Sequence, residues 1–309
     1  MEGKARMNPR FGRFAPTPSA DLHIGNLRTA LVAWLAAKSS GRDFLIRVED
    51  LDAARMRDAD QISARQVEDL GRLGLVSDGP VVRQSERTEI YVEALSRLEP
   101  LLYECFCSRK DVAQASRAPH GTTPVYPGTC RYLTEAEKAE LRTVRQPCLR
   151  INASSARVCV TDLVCGEYCG EVDDFVVRRA DGVFSYNFAV VVDDGLQGID
   201  QVVRGDDLLE SSPRQAWLAT QLGFAVPVYC HVPLVHSPDG TRLAKRDRAQ
   251  TLTRLREAGV SESVVLSHLG ASLGLADEHE PVTLSNLVDR FDPSALPKDP
   301  WYVDPMTWT

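Results

Sequence analysis

The segment Phe44–Val48 is almost continuously apolar, and segments with helical periodicity precede and follow it. A strand of this composition has to be covered on both faces, as in a parallel sheet with helices on either side. Apolar residues between Leu27 and Leu35 recur at the spacing of an amphipathic helix, and a further helix is predicted over Ile62–Leu73. This alternation predicts an α/β fold with a doubly wound parallel sheet.

The middle of the chain departs from this alternation. It contains seven of the eight cysteines and several prolines, so we interpret it as an insertion. The α/β pattern resumes with Phe184–Val192, a helix capped by Ser212 and a strand at Val226–Val228. The predicted organisation is a first half of the α/β domain over 10–102, the insertion over 103–180, a second half over 181–249, and a short helical region with an irregular tail over 250–309.

Composition narrows the range of functions. The net charge of -7 argues against a protein that coats nucleic acid by bulk positive charge, although a local basic groove is still compatible with it. The apolar stretches are too short to span a membrane, and no apolar segment of a signal peptide follows either Met1 or Met7. We therefore expect a cytoplasmic protein without membrane contact, whose cysteines are metal ligands or free thiols rather than disulfides.

The segment 13–26 combines a strand, a proline-containing turn and the start of a helix. The first amides of a helix and its positive end form a natural site for phosphate. There, His23 would donate to the phosphate, Asn26 would add a second hydrogen bond, and Gly25 would permit close approach. The alternative is a capped turn with a surface histidine, because short motifs often match by chance.

A second charged segment, 240–248, begins at a turn-forming Asp-Gly pair and contains four cations. A loop of this kind would close Lys245 over a polyphosphate and neutralise charge that develops during transfer. A solvated charged loop is the alternative, since most charge runs are of that kind.

Together, the two segments resemble the signatures of the class I aminoacyl-tRNA synthetases. His23-Ile24-Gly25-Asn26 is similar to the first signature, and Arg242-Leu243-Ala244-Lys245-Arg246 is similar to the second. Four motifs resemble the glutamyl branch of that family: 13–26, 47–52, 186–194 and 203–207. The resemblance runs from about residue 10 to 275. It implies a Rossmann-like class I fold with a zinc-bearing insertion.

The number of residues after the second signature indicates which group of the glutamyl branch the chain resembles. Ordinary glutamyl synthetases carry a large helical anticodon-binding region after the second signature, whereas here only 250–309 follows. This resembles the shortened paralogous family that activates glutamate without tRNA and transfers it to the queuosine base in the anticodon of tRNA(Asp). The partners then implied are ATP, glutamate and a queuosine-bearing anticodon stem-loop, bound by a monomer. The alternative is a conventional glutamyl-tRNA synthetase body that charges the 3′ end of tRNA(Glu).

The resemblance also implies roles for individual residues. Glutamate needs cations for its two carboxylates and an anion for its ammonium, and Arg13, Arg204 and Glu49 match those positions. Which arginine binds which carboxylate stays open. The remaining glutamate-binding residues implied are Phe14, Ala15, Pro16, Thr17 and Tyr186. Catalysis would rest on His23, Asn26 and Lys245, with Gly25 in the ATP site and Mg²⁺ accompanying ATP. A non-catalytic zinc-stabilised RNA-binding module would leave these residues without a role.

The cysteines of the insertion resemble the zinc site of this family. The resemblance implies one structural Zn²⁺ held by Cys105, Cys107, Tyr126 and Cys130. Because tyrosine is an uncommon zinc ligand, the nearby His120 is the alternative fourth ligand. Cys165 and Cys169 have possible ligand spacing too, but they lie in a strand-like stretch where buried free thiols are ordinary.

Overall fold

The structure is a computed structural model that describes residues 10–52, 56–108, 110–112, 125–241, 243, 251–304 and 308. In chain order its strands are β1 (Phe11–Phe14), β2 (Asp43–Val48), β3 (Val82–Arg83), β4 (Leu102–Cys105), β5 (Cys148–Ile151), β6 (Ala156–Asp162), β7 (Gly166–Val172), β8 (Phe175–Arg178), β9 (Ile199–Gly205), β10 (Val228–Val232), β11 (Val235–His236) and β12 (Trp301–Tyr302). Its helices are α1 (Ile24–Ser39), α2 (Ala59–Arg72), α3 (Thr88–Ser96), α4 (Glu135–Val144), α5 (Tyr186–Leu196), α6 (Ser212–Gln221), α7 (Leu252–Glu257), α8 (Glu262–Ser272) and α9 (Leu284–Arg290).

A seven-stranded sheet with the order β3-β2-β1-β9-β10-β6-β7 forms the centre of the molecule. Neighbouring strands from β3 through to β6 pair in parallel, and only β7 at the edge is antiparallel to its neighbour. The first part of the chain adds β2 and β3 on one side of β1, and after residue 180 the chain returns to add β9 and β10 on the other side. The α/β fold with a predominantly parallel sheet is thus as predicted.

Helices cover both faces of this sheet. Phe44 and Ile46 of β2 belong to the core cluster formed with α1 and the C-terminal helices, whereas Leu45 packs on the other face with Ile199 and Tyr229. A further core cluster lies beneath α3, α5 and α6. Burial on both faces explains why the sequence of β2 is a nearly continuous apolar run and does not alternate between apolar and polar residues. Within the described part of the chain, no helix has both the length and the apolar character needed to cross a bilayer.

The segment 103–180 contributes to two different sheets. Strands β4, β5 and β8 form a separate antiparallel sheet, while the β6–β7 hairpin extends the edge of the central sheet. The expectation of free thiols is wrong for Cys159 and Cys169, which form a disulfide. The two residues lie directly opposite each other in the hairpin register, a pairing that cysteine spacing alone does not reveal. Cys165 is a free thiol but is exposed, not buried.

Three local predictions differ from the structure. Helix α6 begins at Ser212 itself and is preceded by Ser211, so the Ser212 hydroxyl does not cap the helix. The strand predicted at Val226–Val228 begins only at Val228, because Pro227 has no N–H to donate to a ladder. The tail expected to be irregular includes β12, whose backbone pairs with β11.

Candidate active site

A cavity of about 400 Å³ opens at the carboxyl ends of β1, β2 and β9. Parallel strands end at the same edge of a sheet, and the place where crossovers diverge, here between β1 and β9, leaves a crevice for a ligand. The predicted glutamate- and ATP-binding residues within the described chain all line this cavity, and they are Arg13, Phe14, Ala15, Pro16, Thr17, His23, Gly25, Asn26, Glu49, Tyr186 and Arg204. Lys245 lies outside the described residues, although Leu243 of the same loop lines the cavity.

His23 caps the first turn of α1. Its Nδ1 accepts a hydrogen bond of 3.3 Å from the Asn26 amide, and the Asn26 side-chain oxygen accepts one of 3.3 Å from the His23 amide. The capped-turn interpretation is therefore correct for the backbone. Because Nδ1 is an acceptor, the neutral ring carries its proton on Nε2, which makes that atom a donor. The cap thus fixes a donor imidazole at the rim of the cavity.

Gly25 makes room for this imidazole. A Cβ atom at position 25 would lie 2.9 Å from His23 Cε1 and 3.0 Å from His23 Nδ1, so any other residue would displace the ring. The sequence analysis predicted that Gly25 permits close approach of a ligand. The structure adds that a glycine is needed here to make room for the His23 ring. The first group that Gly25 accommodates is a side chain of the site itself.

Arg13 is fixed by a carboxylate from α5. Its Nε and Nη2 donate to the two oxygens of Asp194, each at 3.2 Å, and Arg47 Nη1 donates to the same carboxylate at 2.7 Å. All three residues are buried. Burial alone would raise the pKa of Asp194, but the charges of Arg13 and Arg47 outweigh it and hold that pKa below its usual value. Asp194 is therefore an ionised bridge between two guanidinium groups.

Glu49 follows β2 directly and completes this cluster. Its amide donates to the Pro16 carbonyl at 2.9 Å, and its Oε1 accepts from Arg47 Nη2 at 3.2 Å. Burial raises the pKa of Glu49, and the charges of Arg47 and Arg13 only partly oppose that rise. A cation at Glu49 would favour the ionised form, so this carboxylate is suited to an incoming ammonium group.

Arg204, at the end of β9, has different partners. Its donors bond to His231 Nε2 at 3.0 Å, to Gln215 Oε1 at 2.6 Å and to Ser212 Oγ at 2.8 Å. A fourth bond of 3.2 Å goes to the Leu208 carbonyl. All of these acceptors are neutral groups. Among the described residues, Arg204 has no carboxylate within ion-pair distance, so its charge faces the cavity without an anionic partner.

Tyr186 stands between this cavity and a second one. The second cavity, of about 810 Å³, shares Thr17, Glu49 and Tyr186 with the first. Its outer wall includes Asp52 and Arg179, which form an ion pair of 2.6 Å. The two cavities are therefore neighbours across a single layer of side chains.

The cysteine cluster lies at the end of β4, and none of its members lines either cavity, although the neighbouring Cys148, whose Sγ donates to the Cys105 carbonyl at 3.3 Å, lines the second cavity. The sulfurs of Cys105, Cys107 and Cys130 lie within 4.8 Å of one another, and the last two are 3.6 Å apart. Four ligands at ~2.3 Å around zinc would place sulfurs about 3.8 Å apart. Tyr126 Oη is 3.4 Å from Cys105 Sγ and 3.9 Å from Cys107 Sγ, close to the spacing expected of a fourth ligand. This donor set fits zinc, and His120 lies outside the described residues.

Neighbouring groups favour a thiolate in this cluster. Hydrogen bonds from Cys148, Tyr126 and Arg150 outweigh burial and hold the pKa of Cys105 well below its ordinary value. Arg150 Nε donates to Cys105 Sγ at 3.2 Å, and its guanidinium lies 3.8 Å from the centre of the Tyr126 ring. A thiolate is the form of cysteine that binds a metal.

Sequence reasoning assigned no role to the groups that hold the arginines. Asp194 supports Arg13 from 181 positions away, and His231 supports Arg204. A signal for the first was present, since Arg47 interrupts an apolar strand and Asp193-Asp194 follows an apolar helical run. A charge in such a run has to be paired when it is buried. No signal in the sequence indicated His231.

The fold agrees with the comparisons to known proteins. The family described as tRNA synthetases class I (E and Q), catalytic domain, matches residues 11–307, so the chain is a class I synthetase of that group. Proteins named Glutamyl-Q tRNA(Asp) synthetase are 54% identical in Nocardia farcinica, over 94% of this chain and 92% of that protein, and 50% identical in Cutibacterium acnes, over 92% and 82%. The chain belongs to the glutamyl-Q tRNA(Asp) synthetase family, a family of ligases.

A solved structure with a similar fold comes from a conventional synthetase. The crystal structure of a glutamate tRNA ligase from Elizabethkingia meningosepticum, in complex with its amino acid, superimposes with a TM-score of 0.80 at 26% identity. The match covers 98% of this chain and 68% of that one. Nearly the whole chain therefore shares one fold with the larger enzyme.

Proposed function

We propose that the protein activates glutamate with ATP, without tRNA, and transfers it to the queuosine base in the anticodon of tRNA(Asp). The observation that carries this proposal is the cavity at the β1/β9 crevice, with two buried arginines and a buried glutamate in a chain of the glutamyl-Q tRNA(Asp) synthetase family. Glutamate presents two anionic groups and one cationic group, and the cavity offers the complementary charges.

Arg204 and Arg13 supply the positive side of this complementarity. Arg204 has no carboxylate partner among the described residues, so a substrate carboxylate would be its first. Arg13 shares Asp194 with Arg47 and keeps Nη1 close to the Val203 carbonyl. Glu49 would bind the ammonium group, while Tyr186 and the backbone of 14–17 would enclose the side chain.

The activation step needs orientation and charge stabilisation more than covalent chemistry. In the proposed step, the α-carboxylate of glutamate attacks the α-phosphorus of ATP and pyrophosphate leaves. The His23 Nε2–H and Asn26 would hold the phosphates at the start of α1, and Lys245 would neutralise the charge that develops during transfer. Mg²⁺ bound with ATP would share that neutralisation. The class I signature that this segment resembles usually has a serine before this lysine, and Ala244 offers no side-chain hydroxyl at that position.

The second cavity supports the transfer step. It adjoins the first across Thr17, Glu49 and Tyr186, so an acceptor hydroxyl placed there would reach the acyl carbon of an adenylate in the first cavity, where ester formation would release AMP. A cyclopentene diol on a nucleoside is small enough for such a cavity. The bound Zn²⁺ that we propose at Cys105, Cys107, Tyr126 and Cys130 would be structural, since four protein ligands leave no open position for a substrate.

A conventional glutamyl-tRNA synthetase activity is the second candidate. The likeness to the Elizabethkingia glutamate tRNA ligase favours it, because the two folds agree over 98% of this chain. The relatives named Glutamyl-Q tRNA(Asp) synthetase are far more similar in sequence, which is why we rank queuosine transfer first.

ATP–pyrophosphate exchange with glutamate and no tRNA tests the activation step. We expect exchange in the wild type and none in Lys245→Ala. Lys138→Ala is the matched control, because Lys138 pairs with Glu135 on α4 and lies away from both cavities. Exchange that appears only when tRNA(Glu) is added would contradict the proposal and favour the conventional synthetase.

A further inference from the structure

A buried chain of hydrogen bonds leads from the carboxyl end of β6 to Arg204. Asp162 at the end of β6 bonds to His231 Nδ1 at 2.6 Å, and Arg204 Nε donates to His231 Nε2 at 3.0 Å. His231 and the Asp162 side chain are fully buried, and Arg204 is 5% exposed. None of the motifs that indicated glutamate binding includes Asp162 or His231.

The partners fix the proton on this imidazole. A guanidinium can only donate, so His231 Nε2 has to carry the lone pair. The Asp162 carboxylate also accepts from the Val164 and Cys165 amides, at 2.9 and 2.8 Å, which is the pattern of an ionised acceptor. His231 is therefore the neutral Nδ1–H tautomer. Burial lowers the pKa of His231 further, and the charge of Arg204 adds to this effect although Asp162 opposes it.

This arrangement leaves few donors of Arg204 unassigned. Nε bonds to His231, both Nη2 protons have acceptors in Ser212 and Leu208, and one Nη1 proton goes to Gln215. A guanidinium has five N–H groups, so one Nη1–H has no acceptor among the described residues. The guanidinium also lies 5.3 Å from the centre of the Tyr229 ring. Arg204 is thus held on several sides by neutral groups.

The contrast with Arg13 shows what these neutral partners achieve. Asp194 holds Arg13 with a full negative charge, which lowers the attraction of Arg13 for a further anion. At Arg204 the nearest carboxylate in the chain of bonds, Asp162, is separated from the guanidinium by an imidazole. The position of Arg204 is fixed, while its positive charge is not cancelled by direct contact.

We propose that His231, held by Asp162, is a positioning residue that fixes Arg204 through a neutral imidazole and so preserves its charge for a substrate carboxylate. Gln215 has the same function at Nη1. This inference rests on the proposed function, because it takes glutamate as the substrate. It predicts that the affinity for glutamate depends on a neutral acceptor at the position of His231 Nε2. It also predicts that a negative charge at position 215 lowers that affinity.

Two substitutions test the two ring nitrogens of His231 separately. His231→Gln keeps an acceptor near the position of Nε2, and His231→Asn keeps a donor near the position of Nδ1. We expect His231→Asn to raise the KM for glutamate about tenfold or more in ATP–pyrophosphate exchange, as loss of one charged hydrogen bond would. His231→Gln should restore most of that loss, and the KM for ATP should change little in either variant. An equal rise in both variants, or a parallel rise in the KM for ATP, would overturn the inference.

Position 215 gives a second test that does not depend on the folding of His231 variants. Gln215→Glu would place a carboxylate on Arg204, and Gln215→Met would remove the same hydrogen bond without adding charge. We expect the KM for glutamate to rise about tenfold more in Gln215→Glu than in Gln215→Met. Equal values would overturn the inference. Absence of glutamate-dependent exchange in the wild type would instead overturn the proposed function, and this inference with it.

Discussion

The charge network beneath the cavity and the cysteine cluster at the end of β4 both bury polar groups, but they balance them differently. In the network, Asp194 bridges Arg13 and Arg47, and the charges of the chain compensate one another. In the cluster, three sulfurs and the Tyr126 hydroxyl converge, and Arg150 donates to only one of these sulfurs, that of Cys105. The first arrangement pairs its charges within the chain, and the second fits an added ion.

This difference determines how each region depends on its surroundings. Removing one member of a compensated buried network leaves an uncompensated charge, whose cost in stability is large. A metal cluster instead couples stability to the concentration of the ion, because binding contributes free energy only to the folded state. The two kinds of dependence respond to different substitutions.

The largest effect is expected for Asp194→Asn. The change leaves the buried guanidiniums of Arg13 and Arg47 without their shared anion, so the free energy of unfolding should fall by about 3–5 kcal/mol. Urea unfolding followed by circular dichroism measures it. A loss below about 1 kcal/mol, as for an exposed pair, would show that the network is not compensated through Asp194.

A smaller loss is expected for Cys130→Ser. The variant removes one thiolate from the cluster, so zinc content should fall from about one per chain to near zero, with a loss of about 2–3 kcal/mol in stability. Metal analysis of the purified protein measures the first and urea unfolding the second. Cys165→Ser, at an exposed free thiol outside the cluster, is the matched control and should retain zinc. Equal zinc content in both variants would contradict the site.

Glu49→Gln should have opposite effects on stability and on substrate affinity. The folded-state pKa of Glu49 is raised, so the ionised carboxylate destabilises the folded protein at neutral pH, and the penalty vanishes as the pH falls below the unfolded value of ~4.5. The variant should therefore be more stable than the wild type at pH 7.5, and this difference should disappear near pH 4. Its KM for glutamate should rise about tenfold or more, because the ammonium loses its anion. A variant that is less stable at pH 7.5 would contradict this account of Glu49.

The smallest effect is expected at an exposed ion pair. Arg72 and Glu68 form an i,i+4 pair of 2.6 Å on α2, with 36% and 59% of their side chains exposed. Glu68→Gln should change the free energy of unfolding by about 0.3–0.5 kcal/mol, since solvent screens such pairs. It serves as the baseline against which Asp194→Asn is compared. An effect above about 1 kcal/mol would mean that this exposed pair contributes to stability as a buried pair does, which would contradict the comparison with Asp194.

The sequence predicted what depends on local pattern. The apolar run of β2, the helix that begins after His23 and the clustering of Cys105 with Cys107 are all visible in short windows. Contacts made across the fold were not predicted. Asp194 reaches Arg13 over 181 positions, and the Cys159–Cys169 bond depends on the register of a hairpin that spacing does not define.

Transfer of labelled glutamate to purified tRNA tests the central proposal most directly. The protein would be incubated with ATP, labelled glutamate and tRNA(Asp) that contains or lacks queuosine, with tRNA(Glu) in a parallel reaction. We predict label on queuosine-containing tRNA(Asp) only, retained after removal of the 3′ end and absent with Lys245→Ala. Label at the 3′ end of tRNA(Glu), with none on queuosine-containing tRNA(Asp), would contradict the account.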